Sequence, residues 1–120
     1  MEYEVEESVK LDEGTHEGVI TGIEYRNVPY KYVDLIIECG GVKVKASYPR
    51  FVAADSRLGL LFARFGFPVA VGGKLSDEVL VGRRVSFMSV NKVSKKNGKE
   101  YPEVLPDTVK PLQEQIQPIQ

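Results

Sequence analysis

The sequence contains very few of the residues from which cross-links and metal sites are built. Its 120 residues include one cysteine, Cys39, and one histidine, His16. A single cysteine excludes an intramolecular disulfide and a zinc site made of cysteines, and a single histidine excludes an imidazole cluster. We therefore expect no metal and no cofactor. Cys39 ends an apolar run, where cysteine is usually a small buried hydrophobic residue.

Long apolar runs are also missing. No stretch approaches the roughly 20 apolar residues that a membrane-spanning helix needs, and no charged-then-apolar leader opens the chain. The hydrophobic fraction of 42% and the mean hydropathy of −0.19 are those of an ordinary soluble protein. We expect one domain with a real core, in an intracellular and cytoplasmic protein without membrane contact.

The common catalytic patterns are absent as well. The sequence has no histidine pair, no Walker-type glycine loop and no G-x-S-x-G elbow. The run from Gly72 to Ser76 contains lysine and serine but lacks the upstream glycine spacing. The paired carboxylates Asp77-Glu78 and Asp12-Glu13 fit helix caps better than catalysts. We predict that the protein is not an enzyme.

Charge is unevenly distributed along the chain. Residues 1–17 hold seven acidic residues and one basic residue, a net charge of −6, whereas residues 18–120 have a net charge of +5. A mildly basic body attracts polyanions, and an acidic arm repels them or competes for the same surface. A solvated arm that aids solubility is the alternative. We divide the chain into an acidic arm (1–13), a β-barrel (14–110) and a flexible tail (111–120).

Three strand patterns come first. The first runs from Gly14 to about Arg26, with Gly18 and Gly22 indicating a bulge or a strong bend. The second runs from Tyr30 to Glu38, with Val33, Leu35 and Ile37 on one face and Tyr32, Asp34, Ile36 and Glu38 on the other. The third alternates from Val42 to Ala46, with its lysines toward solvent.

The period then changes to that of a helix. Residues 57–65 place Leu58, Leu61, Phe62 and Phe65 on one face. Asp55 or Ser56 can cap the start, and Gly66 can end the helix. Arg57 and Arg64 are assigned to its solvated face, and residues 75–80 to a short helical turn or irregular connector. We assign Tyr48, Phe51 and Phe87 to the core or its lid.

Residues 83–104 have the pattern of a hairpin with a basic tip. Asn97-Gly98 between two strand-like runs predicts a type I′ turn, in which both central residues have positive φ. The tip consists of residues 94–99. It has four lysines in or beside it, Lys92, Lys95, Lys96 and Lys99, and Tyr101 follows it. A basic hairpin beside an aromatic residue is typical of β-barrels that bind nucleic acid, although such tips also serve as plain solubilising surface.

Three strands, a helix and two strands form the order of the five-stranded oligonucleotide/oligosaccharide-binding (OB) barrel, whose helix lies between strands 3 and 4. We therefore predict a mainly β, OB-fold-like barrel. A small SH3-like barrel or another half-open barrel is the alternative, and it leaves the amphipathic helix unexplained.

Two segments resemble the small OB-fold single-stranded DNA-binding proteins of phages and archaea. Residues 12–20, DEGTHEGVI, resemble the opening of that family, and residues 82–85 with 96–104, GRRV and KNGKEYPEV, resemble its closing hairpin. The resemblance spans about residues 12–105. It implies a role in DNA replication or recombination, with replication proteins or further copies of the chain as partners. The acidic, phenylalanine-capped tail of many members is not matched, because the chain ends QPIQ.

In such a barrel the ligand lies on the second and third strands, between the first-second and fourth-fifth loops. Cations there follow the phosphates and aromatic rings stack on unpaired bases. The candidate residues for binding nucleic acid are Arg26, Tyr30, Lys31, Tyr32, Lys43, Lys45, Lys92, Lys95, Lys96, Lys99 and Tyr101.

Several of these residues have alternative interpretations. Tyr25 can face either the core or the ligand, and the same two interpretations stay open for Tyr30 and Tyr32. Asp34 and Glu38 share the face of Tyr32 and are expected to repel phosphate.

The predicted function is therefore non-sequence-specific binding of single-stranded DNA, with RNA as a further ligand. The alternative is a protein–protein adaptor or structural subunit in which Tyr3-Glu4-Val5-Glu6 forms an edge strand. A third hypothesis, an acidic arm folded over the basic groove, predicts tighter binding of DNA once residues 1–13 are removed.

Overall fold

A computed structural model of the chain describes Glu2 and residues 11–112, which form a mainly β structure with one helix. The predicted order of three strands, one helix and two strands is found, but a sixth short strand follows, so the predicted number of five strands is wrong. The elements are β1 (Gly14–Arg26), β2 (Tyr32–Cys39), β3 (Val42–Pro49), α1 (Arg57–Arg64), a 3-10 turn (Asp77–Leu80), β4 (Arg84–Val93), β5 (Glu100–Val104), a second 3-10 turn (Pro106–Thr108) and β6 (Lys110–Pro111).

The strands form an antiparallel sheet in the order β3-β2-β1-β4-β5, and β6 pairs with β4. β6 includes Pro111, so the sheet extends into the segment that the sequence assigned to the tail. The predicted edge strand at residues 3–6 lies outside the described residues. β3 and β5 lie close together, but no hydrogen-bonded ladder joins them in the described part of the chain.

β1 is long because it pairs with two partners in turn. Its first half pairs with β4 and its second half with β2, with a register shift between Ile20 and Gly22. The predicted bulge is thereby confirmed. The shift also changes the side-chain phase, so that Ile20 is fully buried and Ile23, three residues later, packs against the same core.

Gly18 lies just before the exchange of partners. A Cβ atom at this position would be 2.6 Å from the carbonyl oxygen of Glu38 and 2.8 Å from Cγ2 of Ile37. The close approach of β1 and β2 therefore requires glycine here.

The core lies between the inner face of the sheet and α1. The predicted inward faces of β2 and β3 are confirmed, as is the apolar face of the helix. The fully or almost fully buried apolar side chains include Ile20, Val33, Leu35, Ile37, Val44, Ala46, Tyr48, Leu61, Phe62, Val85 and Phe87. Burial raises the pKa of Tyr48, whose hydroxyl donates to the carbonyl oxygen of Pro106 at 2.7 Å. Cys39 is half-buried at the edge of this core.

Helix α1 begins where the sequence predicts. Ser56 caps it, because its Oγ accepts a hydrogen bond from the Gly59 amide at 3.0 Å. Gly66 follows the helix with a φ of 86°. The assignment of Arg64 to the solvated face is wrong. Its Nε donates to the Val109 carbonyl at 2.6 Å, and its Nη2 to that of Pro106 at 3.2 Å.

Phe51 corrects a second assignment. The sequence places it in the core or its lid, but its side chain is 66% exposed. β3 ends at Pro49, and the Phe51 amide bonds back to the Pro49 carbonyl. This turn directs the chain away from the sheet before α1 begins.

Within the described residues, the helix is too short and too polar to cross a bilayer.

Candidate nucleic-acid interface

The outer face of the sheet contains a groove between β2–β3 and the start of β5. It has a volume of about 630 Å³ and is lined by Arg26, Asp34, Lys43, Val44, Lys45, Ser47, Tyr101, Pro102 and Glu103. Four of the eleven candidate residues, Arg26, Lys43, Lys45 and Tyr101, line it together. They come from three strands, β1, β3 and β5, that only the fold brings close.

Strand register explains how these side chains meet. Arg26 of β1 pairs with Tyr32, and Glu24 pairs with Asp34, while Asp34 pairs with Ser47 of β3. Side chains that are paired across antiparallel strands share a face. The outer face therefore presents rows of residues at a spacing of about 6.6–6.8 Å along each strand.

Asp34 occupies the middle of this face, and here the sequence-based expectation is corrected. The sequence predicts an outward acid that repels phosphate, but Asp34 is 1% exposed. Nε of Arg26 donates to Oδ2 of Asp34 at 2.6 Å, and Nη2 donates to Oδ1 at 2.9 Å. Ser47 Oγ donates to Oδ1 at 2.6 Å.

The electrostatics of this group follow from those contacts. Burial alone would raise the pKa of the Asp34 carboxyl, but hydrogen bonds from Arg26 and Ser47 and the charge of Arg26 lower it below its usual value. The hydrogen bond to Asp34 likewise raises the pKa of Arg26. Asp34 is therefore an ionised partner of Arg26 whose charge is neutralised within the protein.

Arg26 also contacts an aromatic ring. Its guanidinium carbon lies 5.0 Å from the centroid of the half-buried Tyr32 ring, within the range of a cation–π contact. The Arg26 side chain is still 46% exposed. Tyr32 thus supports Arg26 from one side and does not itself line the groove.

The remaining charges of this face are nearly balanced. Nζ of Lys45 lies 2.8 Å from a carboxylate oxygen of Glu24, and both side chains are more than half exposed. Glu38 pairs with Lys43 across the strands, although no ion pair joins them. Exposed pairs of this kind contribute little to stability and exchange readily with other ions. Lys43 and Lys45 therefore stay available to an anionic ligand.

The hairpin tip is the most strongly cationic part of the described chain. Lys95, Lys96 and Lys99 are exposed and form no ion pair there. Lys92 lies 3.7 Å from Glu103. Tyr101, at the base of the tip, is 44% exposed and lines the groove.

The type I′ turn predicted for Asn97-Gly98 is wrong. Gly98 has a φ of 68°, but no residue other than glycine has positive φ in the described segments. The connection instead spans residues 94–99, and the Gly98 amide donates to the Ser94 carbonyl. Asn97 Oδ1 accepts from the Lys99 amide at 3.0 Å. Asn97 thus contributes its side chain to the turn and Gly98 its backbone freedom.

The loop between β1 and β2 places two candidate residues beyond the groove. Tyr30 is 71% exposed and Lys31 is also exposed. Arg50 holds the loop: its amide donates to the Lys31 carbonyl, and its Nη2 contacts the Arg26 carbonyl and Asn27 Oδ1.

Arg50 and Tyr25 form a contact that sequence reasoning missed. The guanidinium carbon of Arg50 lies 5.5 Å from the centroid of the Tyr25 ring. The Tyr25 hydroxyl donates to Asp77 at 2.7 Å, a bond that raises the pKa of the tyrosine. Tyr25 is 54% exposed and so does not belong to the core. No local pattern could reveal this contact, because Tyr25 lies in β1 and Arg50 lies just after the end of β3.

A second cavity of about 420 Å³ lies between residues 52–54 and 68–75 and is mostly apolar. It includes none of the candidate residues.

Neither the protein-family models nor the curated proteins include a match to this sequence. The geometry of the groove and of the hairpin tip is therefore the basis for inferring a function.

Proposed function

We propose that this protein binds single-stranded nucleic acid, primarily DNA, with little sequence preference, and that it acts in replication or recombination. The observation that supports this most strongly is the position of Tyr101 and of the cationic tip beside a groove that contains Arg26, Lys43 and Lys45. The groove offers stacking surfaces and cations, and Lys95, Lys96 and Lys99 of the tip form no ion pair with a carboxylate among the described residues.

We further propose that the sheet is an OB-type barrel. Three features support this: the strand order, the helix between β3 and β4, and the proximity of β3 to β5. In such a barrel the groove and the tip fall where single strands bind. The likeness of residues 12–20 and 82–104 to small single-stranded DNA-binding proteins agrees with the same assignment.

The two parts of the surface would act by different means. Lysines at the tip engage phosphates, and each engagement releases condensed counterions, so the affinity falls as salt rises. Tyr101 stacks on an unpaired base, which is worth about 1–3 kcal/mol per base and depends little on its identity. The three cations of the sheet face, Arg26, Lys43 and Lys45, lie beside three carboxylates. These are Asp34, Glu38 and Glu24, respectively. Most of the salt dependence of binding should therefore come from the tip.

The test is fluorescence anisotropy with labelled single-stranded DNA, duplex DNA and single-stranded RNA at several salt concentrations. The K95E/K96E variant should lose about tenfold or more in affinity for single strands and should show a shallower salt dependence. The matched control is K74E/K110E, which makes the same change in net charge at two exposed lysines outside the groove.

Two results would contradict the proposal. Equal losses in both variants would mean that only net charge matters and that the tip is not a site. No binding to any of the three probes would favour a protein–protein adaptor.

A further inference from the structure

We infer that Arg26, Asp34 and Ser47 form a preassembled platform on which one unpaired base stacks, and that Asp34 is a positioning residue for nucleic-acid binding. This inference rests on the proposed function. It assigns a specific role to a carboxylate that simple electrostatics would class as unfavourable for an anionic ligand.

The orientation of the Arg26 guanidinium is fixed by several contacts. Nε and Nη2 donate to the two oxygens of Asp34, and Nη2 also lies 3.3 Å from Ser47 Oγ. Tyr32 lies beneath the same group, and the centroid of its ring is 5.0 Å from the guanidinium carbon of Arg26. Two parallel bonds to one carboxylate define the plane of an arginine head in a way that a single ion pair does not.

The platform is open toward the groove. The Arg26 side chain is 46% exposed, and it lines the groove together with Tyr101. Nη1 forms no hydrogen bond within the described residues, so two N–H groups stay available to a ligand. A base that enters the groove meets a planar cation on the sheet side and an aromatic ring from β5, two groups on which bases stack.

Burial of Asp34 is the observation that separates positioning from incidental pairing. Burying an ionised carboxylate costs free energy unless a well-placed cation and further hydrogen bonds compensate for the lost water. Asp34 has that partner and a second donor in Ser47. The loss of conformational freedom of Arg26 is thus incurred on folding and not when the ligand binds, which favours binding.

Glu24 provides an internal comparison. It pairs with Asp34 across β1 and β2 and so lies on the same face, and it also contacts a cation, Lys45. Its side chain is 56% exposed, whereas that of Asp34 is 2% exposed. Removing either carboxylate changes the net charge equally, but only Asp34 holds a planar group in a fixed orientation.

The experiment compares D34N with E24Q in the full-length chain. Binding to labelled oligothymidine is measured by anisotropy at one moderate salt concentration, and folding is checked by circular dichroism and thermal melting. We expect the affinity of D34N to be lower by a factor of about five or more, because part of one stacking contact is lost. We expect E24Q to bind as tightly as the wild type or more tightly, because it frees Lys45.

R26K provides a second test, which leaves the buried residue Asp34 unchanged. Lysine keeps the charge but has neither the plane nor the two parallel bonds. We expect weaker binding with an unchanged slope of log affinity against log salt, because the number of phosphate contacts is the same.

The outcomes distinguish the two proposals. Binding by D34N as tight as that of the wild type or E24Q would overturn the platform. If D34N does not fold, R26K decides, and wild-type affinity in R26K would overturn the platform. In both cases the proposed function survives if the wild type binds single strands. No binding by the wild type would overturn both.

Discussion

Gly18 is the residue whose size the fold restricts most directly in the sheet. Its position allows β1 to pass close to Glu38 and Ile37 of β2 just before the exchange of partners. The G18A variant should lose about 1–3 kcal/mol of unfolding free energy, because the new methyl group forces the two strands apart. Chemical denaturation monitored by circular dichroism measures the loss.

Gly22 is the matched control for that variant. It lies in the same strand, beside the bulge, but a Cβ atom there has only Ile36 Cγ1 within 4 Å, at 3.9 Å. G22A should stay within about 1 kcal/mol of the wild type, since alanine also reduces the entropy of the unfolded chain. Similar losses in the two variants would show that backbone freedom, and not close approach, matters at Gly18.

At the same scale, the sequence could predict which way side chains point but not which of them would meet. Alternation along β2 correctly places Asp34 on the face of the strand opposite to that of Val33 and Leu35. It cannot show that Arg26, on another strand, curls over Asp34 and buries it. The contact depends on the pairing register between β1 and β2, which the bulge in β1 sets. The residue pattern of one β-strand does not reveal how that strand pairs with its neighbour.

Helix α1 is the element whose ends depend most clearly on one side chain. Ser56 Oγ accepts from the amides of Gly59 and Ala53 and donates to the Ala53 carbonyl at 3.0 Å. Its hydroxyl therefore joins the helix to the loop that precedes it. S56A should destabilise the protein by about 1 kcal/mol, as the loss of an N-cap usually does, measured by thermal or chemical denaturation.

Ser76 offers a comparison within the same molecule. It caps the short 3-10 turn, and its Oγ accepts from the Glu78 amide at a longer 3.4 Å. S76A should cost clearly less than S56A, since a long bond at a four-residue turn contributes little. An S76A loss as large as that of S56A would contradict this account of the helix start.

Elements with a strong local signal were predicted well, and elements fixed by tertiary contacts were not. The helix and the bulge each follow from residues within a few positions, such as Ser56, Gly66 and Gly22. The tip turn departs from the prediction because Asn97 bonds the backbone through its side chain and so needs no positive φ. β6 consists of two residues held by pairing with β4, and no local pattern reveals so short a strand.

At the scale of the whole molecule, the fold converts a sequence with a net charge of −1 into a surface with local charge differences. Sheet cations are balanced by neighbouring carboxylates, whereas Lys95, Lys96 and Lys99 of the tip have no such partner within residues 11–112. The order of the helix and the first five strands was predictable, because each of these elements has its own periodicity. The convergence of Arg26, Lys43, Lys45 and Tyr101 on one groove was predictable only by assuming a barrel, since they are up to 75 residues apart.

Binding of single-stranded nucleic acid by this groove and the adjacent tip is the main proposal for the molecule. The most direct test is a titration of the isotopically labelled protein with an oligothymidine of about 12 nucleotides, followed by amide chemical shifts in NMR spectra. We expect the largest changes in residues 26–32, 43–47 and 94–103. Changes confined to residues 52–54 and 68–75, around the apolar cavity, or no changes at all, would contradict it.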